Sequence, residues 1–253
     1  MLRTRVIPTL LLRKQCLVKT ERFSKFRYIG DPCNTVRIFN ELEVDELLFL
    51  DILATQEDRG PDLPILRDIA DECFMPLGYG GGIRSLDDAK RVFDIGFEKV
   101  AINSAALAKP ELIADIAARY GSQAIIVSID VSKRMLGGYT VRSISGKHDT
   151  RRDPIAWSIE AERQGAGEIL LTSIDREGTW KGFDLELVRA VADSVSIPVI
   201  AHGGAGAVSH VHQVVDESHA SAVALGSMVV FQRPGMGVLV NFPEELRLCP
   251  VTG

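Results

Sequence analysis

Glu46-Leu47-Leu48-Phe49-Leu50-Asp51-Ile52 returns later in the chain as Glu168-Ile169-Leu170-Leu171-Thr172-Ser173-Ile174, an offset of 168 − 46 = 122 residues. Each run is short, apolar and opened by a glutamate, and each reads as a strand. The offset recurs: Met75-Pro76-Leu77 falls on Ile197-Pro198-Val199, and Gly81-Gly82 falls on Gly203-Gly204. Self-similarity at a fixed period marks a duplicated architecture. Two halves of about 1–122 and 123–253 are therefore expected within a single domain spanning 1–253.

Outward from these runs the pattern continues. Strands are expected at Arg5–Leu12, Glu46–Ile52, Pro76–Gly81, Lys99–Ser104, Ala124–Asp130, Glu168–Asp175, Pro198–Gly204 and Ala222–Met228. Helical patterns lie between them at Asp31–Glu43, Leu86–Ile95, Pro110–Tyr120, Pro154–Gln164 and Leu185–Asp193, with Asp31 placed as a cap before a first-turn proline. Strands alternating with helices pair in parallel, and eight such units at this length give a closed (β/α)8 TIM barrel of the α/β class. Arg134–Asp149 carries Gly137-Gly138 and Ser145-Gly146 and reads as a β-hairpin inserted after the fifth strand. A short final helix is expected at Pro243–Leu248.

The composition is that of a soluble globular chain: 253 residues, 46% hydrophobic and 25% charged, with a net charge of -5. Without a block of Lys and Arg it offers no broad nucleic-acid footprint, although a local phosphate site suits an acidic surface. Cys16, Cys33, Cys73 and Cys249 show no C-x-x-C spacing, so neither a disulfide framework, a metal site nor a cofactor is expected, and reduced thiols fit the cytoplasm. Pro8 interrupts the apolar run Val6–Leu12, which does not read as a signal peptide, and no stretch approaches the ~20 apolar residues of a membrane span.

Two glycine turns point to anions. Gly80-Gly81-Gly82-Ile83-Arg84 follows the third strand and His202-Gly203-Gly204-Ala205-Gly206 the seventh, where exposed amides can meet a phosphate. Gly203, Gly204, Ala224, Leu225 and Gly226 would form one site, and the repeat predicts another from Gly81, Gly82, Asn103 and Ser104, together suiting a ligand with a phosphate at each end. The same glycines would also serve plain tight turns. Asp130 ends the fifth strand, where a partly desolvated carboxylate can act as general acid or base, or cap a loop. Asp175 ends the sixth strand and could orient substrate through loop amides. Lys19, in the long first βα loop, is placed either as a mobile cation over an anionic ligand or as a solvated surface lysine.

At the opposite end Arg5, Glu46, Lys99 and Glu168 open strands one, two, four and six. Side chains alternate along a strand, so Arg5 shares a face with Thr9 and Leu11, Lys99 with Asn103, and Glu168 with Thr172. If that face points inward, two positive and two negative charges ring the barrel floor, about 13 Å below the reactive groups. A buried ionic ring is costly to assemble and is not needed to fill a barrel. It reads as a gate or as an ion-pair plug.

Arg5-Val6-Ile7-Pro8, Gly30-Asp31-Pro32, Leu50-Asp51-Ile52, Gly80-Gly81-Gly82-Ile83-Arg84, Ile102-Asn103-Ser104-Ala105 and Gly167-Glu168-Ile169-Leu170-Leu171-Thr172-Ser173 together resemble the cyclase subunit of imidazole glycerol phosphate synthase, over nearly everything up to Ser227. The resemblance implies a glutaminase subunit docked on the floor and ammonia passing a charged gate to a phosphorylated acceptor at the top. In that scheme Arg5, Glu46, Lys99 and Glu168 match the gate, Lys19 the mobile-loop lysine, the glycine turns with Asn103 the phosphate sites, and Asp130 one of two catalytic carboxylates. The other carboxylate is replaced, because the family's Ile-Pro-Cys-Leu-Asp-Val stretch stands here as Ile7-Pro8-Thr9-Leu10-Leu11-Leu12, and His202 replaces a small residue beside the second phosphate site. An ammonia gate beneath an impaired cyclase site resembles the branch associated with acetamidino modification of bacterial surface sugars, whose acceptor would be a phosphorylated small molecule or sugar nucleotide. An authentic cyclase of histidine biosynthesis and a catalytically silent activator of a glutaminase are the alternatives.

Overall fold

The computed structural model describes residues 4–247; Cys249 and Leu248, the last residue of the expected final helix, lie outside them. The chain opens with β1 (Arg5–Arg13), which runs into a hairpin of β2 (Cys16–Glu21) and β3 (Ser24–Gly30), and then α1 (Pro32–Glu41). It continues through β4 (Leu47–Asp51), α2 (Leu63–Glu72), β5 (Leu77–Gly80), α3 (Leu86–Ile95), β6 (Lys99–Ile102), α4 (Ser104–Ala108) and α5 (Glu111–Tyr120). The second half repeats this order with β7 (Ile125–Lys133), a hairpin of β8 (Tyr139–Ser143) and β9 (His148–Asp149), α6 (Pro154–Arg163), β10 (Glu168–Ser173), α7 (Leu185–Ala192), β11 (Val199–His202), α8 (Val208–Ser218) and β12 (Ala222–Leu225). Short α9 (Ser227–Val230) and α10 (Glu244–Arg247) complete it.

Among the described residues, eight strands pair in parallel in the order β1-β4-β5-β6-β7-β10-β11-β12, and β12 pairs back onto β1. The sheet is closed, as a (β/α)8 barrel requires. Ile7, Leu48, Ile126, Leu170 and Ile200 fill the lumen, each burial contributing about 1.5–3 kcal/mol. A larger apolar cluster packs the outer face of the strands against the helices.

The repeat is visible in space. Asp31 caps α1 by accepting from Asn34 N–H at 2.8 Å, and Asp153, at the same offset of 122, caps α6 by accepting from Ala156 N–H at 2.9 Å. A Cβ on Gly81 would stand 2.8 Å from the carbonyl oxygen of Asp51; a Cβ on Gly203 would stand 2.7 Å from that of Ser173, which is Asp51 moved by the offset. Gly82 likewise abuts Arg59 and Gly60, and Gly204 abuts Gly182, the counterpart of Gly60. Glycine is required at these turns because another backbone passes too close for any side chain.

Several boundaries and elements differ from the sequence reading. Residues 16–30 form a hairpin rather than a loop, and its outer strand, exposed from Ser24 to Tyr28, lacks the buried face that makes a strand legible. The helices α2 and α8 also go beyond the expected set, although α2 is the offset copy of α7. Asn103 and Ser104 belong to the start of α4 rather than to a strand, and the last barrel strand ends at Leu225, three residues before Met228.

Candidate functional site

The C-terminal ends of the strands surround a cavity of about 390 Å³. Its roof comes from both halves: a Cβ on Gly146, in the second hairpin, would lie 2.9 Å from the ring of Phe23 in the first. Phe23 and Phe26, with Leu11, Leu50 and Ile52, give much of the cavity an apolar wall. Gly81, Gly82, Arg84, Asn103, Ser104 and Lys109 line it beyond the ends of the adjacent strands β5 and β6. The Ser104 hydroxyl accepts from Ile144 N–H at 2.9 Å, and Ser145 Oγ donates to the carbonyl of Ile52 at 2.9 Å, so the second hairpin is tied down on both sides.

Three carboxylates line this cavity, and two of them face cations: Asp51 pairs with Arg59 at 2.8 Å and Glu177 with Lys19 at 3.3 Å. Among the described residues, Asp130 is the third and faces no cation within ion-pair distance. It accepts from Asn103 Nδ2 at 3.0 Å. Loss of solvent pushes its pKa up to about 7, against a hydrogen bond from Thr172 and with the charge of Glu177 adding to the rise. A carboxyl with that affinity exchanges protons near neutral pH and suits general acid or base chemistry.

A hydrogen-bonded chain runs on from it. Thr172, whose hydroxyl favours the ionised form of Asp130, lies with its Oγ1 3.1 Å from His202 Nδ1, a buried hydrogen bond whose direction follows the imidazole tautomer. Burial, with the nearby Lys19, lowers the His202 pKa to about 3, so the ring is neutral. Leu11, only 6% exposed, pairs in register with Leu50 across β1 and β4 and contributes no titratable group at the mouth of the first strand.

The residues around the second glycine turn enclose a space of only about 10 Å³. Lys19 does not sit in a mobile loop: it belongs to β2, is 3% exposed, and its ammonium lies against Gly226, where a Cβ would collide with Nζ. Gly203, Gly204, Ala224 and Gly226 line this space, whereas the Leu225 side chain packs in the outer core. Asp175 lines neither space. Its carboxylate accepts from Lys133 N–H at 2.8 Å and ties the loop after β10 to the end of β7.

The carboxylate that turns inward from that loop is Glu177, which the sequence reading passed over. It is 1% exposed and accepts from Thr20 Oγ1 at 3.0 Å and from Phe23 N–H at 3.1 Å, besides its ion pair with Lys19. The repeat held the signal, since the offset of 122 places Glu177 on Thr55, another residue of the cavity wall.

At the other end of the barrel, Arg5 reaches Glu46 at 3.2 Å and Glu168 at 2.5 Å, while Lys99 reaches the same two glutamates at 3.1 and 3.0 Å. Two other strands separate β1 from β10, β5 separates β4 from β6, and β7 separates β6 from β10, so these pairs meet through the lumen. The four charges form an alternating square under the aliphatic layer. Burial raises the Glu46 pKa, and Lys99 and Arg5 pull it back.

Comparison with known proteins agrees with this architecture. The family described as "Histidine biosynthesis protein" matches residues 5–233. The chain belongs to that family. It is 47% identical to a Pseudomonas aeruginosa protein provisionally named imidazole glycerol phosphate synthase subunit hisF2, over 98% of this chain and 99% of that one. It is also 42% identical to imidazole glycerol phosphate synthase subunit HisF of Streptococcus sanguinis, over 90% of each chain. The corresponding HisF of Trichormus variabilis is 41% identical, over 99% of this chain and 98% of that one. Among the described residues no helix is long and apolar enough to cross a membrane, and no cluster of His, Cys, Asp or Glu is arranged to hold a metal ion.

Proposed function

We propose that the protein is the cyclase-like synthase subunit of a glutamine amidotransferase complex. A glutaminase subunit binds the barrel floor, and ammonia passes the Arg5, Glu46, Lys99 and Glu168 ring and the lumen. At the top it adds to a phosphorylated small molecule or sugar nucleotide, as in acetamidino modification of a surface-polysaccharide sugar. The observation that carries this reading is the square of charges, three of its four pairs crossing the lumen, beneath a cavity in which Asp130 is, among the described residues, the one carboxylate without a cation. Polar groups that merely filled the floor would be replaced by apolar ones at little cost.

In this scheme the ammonia lone pair attacks a doubly bonded electrophilic carbon of the acceptor, the π electron pair moves onto that bond's heteroatom, and the nitrogen sheds a proton, which Asp130 accepts and can return to the heteroatom. The turn at Gly81 and Gly82, with Asn103 and Ser104, holds the acceptor's phosphate. Leu11 removes the partner acid, and losing a positioned acid or base commonly costs ~10²–10⁴-fold, so ring-forming cyclisation is not the reaction proposed. Purified complex supplied with glutamine should lose ammonia transfer when Lys99 is replaced by Met, while glutamine hydrolysis continues. Unchanged transfer in Lys99→Met would sink the conduit.

The second reading, an authentic cyclase of histidine biosynthesis, draws on the names of the Streptococcus and Trichormus relatives. Conversion of the histidine-pathway bisphosphate with ammonium at an ordinary enzymatic rate would favour it and reject the argument from Leu11.

A further inference from the structure

We infer that the barrel takes a ligand carrying one phosphoryl group at one end and an uncharged body at the other, because its second anion position is already occupied by the carboxylate of its own Glu177. The inference rests on reading the large cavity as the acceptor site. The repeat makes the comparison internal to the molecule. At the offset of 122, Thr55, Gly80 and Ser104 of the first half correspond to Glu177, His202 and Gly226 of the second.

The first set lines the open cavity of about 390 Å³. In the second set Glu177 and His202 also reach the wall of that cavity, but with Gly226 and Lys19 they leave a space of only about 10 Å³. Where the first half has a threonine the second has an anion, and that anion holds an ammonium, a hydroxyl and a backbone amide: Lys19 at 3.3 Å, Thr20 at 3.0 Å and Phe23 N–H at 3.1 Å. These are the donors a bound phosphate oxygen would seek. The second half has the side chain of His202 in the wall where the first half has Gly80, and its neutral ring brings no cation.

The glycines of the second turn do not argue for a ligand either. Gly203 and Gly204 face the backbone of Ser173 and Gly182, so the close approach of the loop carrying Glu177 is enough to require them. A second phosphate would have to displace a nearly fully buried, triply held carboxylate and stand beside it at like charge, which is costly at low dielectric. The open end instead offers Lys109 and Arg84, the latter held by a solvent-exposed Asp58, and the apolar part of the wall, Leu11, Phe23 and Leu50, suits an uncharged body.

The test counts phosphates. Crystals of the full chain soaked in inorganic phosphate should show one ion, at Gly81, Gly82 and Ser104, and calorimetry should find ribose 5-phosphate and ribulose 1,5-bisphosphate bound with affinities within about threefold of each other, a difference under ~1 kcal/mol. In Glu177→Thr, which installs the first half's residue, a second ion should appear against Lys19 and the bisphosphate should gain about tenfold or more over the monophosphate. Two ions in the wild type, an ion at Gly203 and Gly204 alone, no ion at all, or a bisphosphate preference of about tenfold or more in the wild type would each overturn the inference. The wild-type measurements decide even if Glu177→Thr does not fold. Ammonia transfer and its loss in Lys99→Met are read separately, so a wrong phosphate count leaves the conduit standing and a failed conduit leaves the count standing.

Discussion

Asp130 carries a stability signature as well as a chemical one. Its folded pKa of about 7 lies above the ordinary carboxylate value, so the folded protein holds a proton that the unfolded chain has released. Stability contributed at this residue is therefore present at low pH and lost as pH rises from about 4 to about 7. Asparagine has no such dependence. Asp130→Asn is expected to gain about 2–3 kcal/mol relative to the wild type between pH 5 and pH 8, measured by urea denaturation at both values, while losing ammonia transfer. Equal shifts of both proteins with pH would show that the residue does not take up a proton on folding. Asp130 itself was readable from the end of an apolar run; its isolation was not, because that depends on Arg59 and Lys19 being committed to Asp51 and Glu177 by folding.

At the scale of single elements, the turns separate two costs of adding a side chain to glycine. Gly96 ends α3 at φ +116° with no atom within 4 Å of the position a Cβ would take, so Gly96→Ala meets backbone strain alone, on the order of 1–2 kcal/mol. Gly204 at φ +108° adds a collision with the carbonyl of Gly182. Gly204→Ala should cost at least about 1 kcal/mol more than Gly96→Ala in chemical denaturation, and equal losses would mean that the loop after β10 moves aside freely. The barrel strands and most helices were legible because burial imposes their periods. The first hairpin was not, because polar and exposed β3 has no such period, although the repeat could have supplied it: the offset lays residues 16–30 on 138–152, where the second hairpin was expected.

For the whole molecule, three of the four ion pairs of the floor square, all but Arg5–Glu46, link strands that do not pair with one another, and Glu168 is the one member drawn from the second half. Lys99→Met leaves Glu46 and Glu168 to share Arg5, and breaking such a buried pair costs about 3–5 kcal/mol. Without Lys99 the pKa of Glu46, already raised by burial, rises further. The variant's deficit should therefore grow as pH rises and the carboxyl ionises, and shrink as pH falls and it takes up its proton. Thermal melts at pH 5 and pH 8 would show it, and a deficit independent of pH would place the loss in packing. The ring was legible as four charges opening four strands; whether they faced each other could be settled only by strand order and reach.

The crowding that demands glycine at positions 81, 82, 203 and 204 includes in each case main-chain atoms of a neighbouring segment, the ends of β4 and β10 at 81 and 203 and a loop at 82 and 204. Turn shape is thus guaranteed independently of what stands at 55 and 177, or at 80 and 202. The residues at 55 and 177 are free to diverge, whereas a side chain at 80 would meet the Ala101 carbonyl at 2.9 Å, so a designer moving a pocket from one side of the mouth to the other would exchange the first pair and leave Gly80 in place.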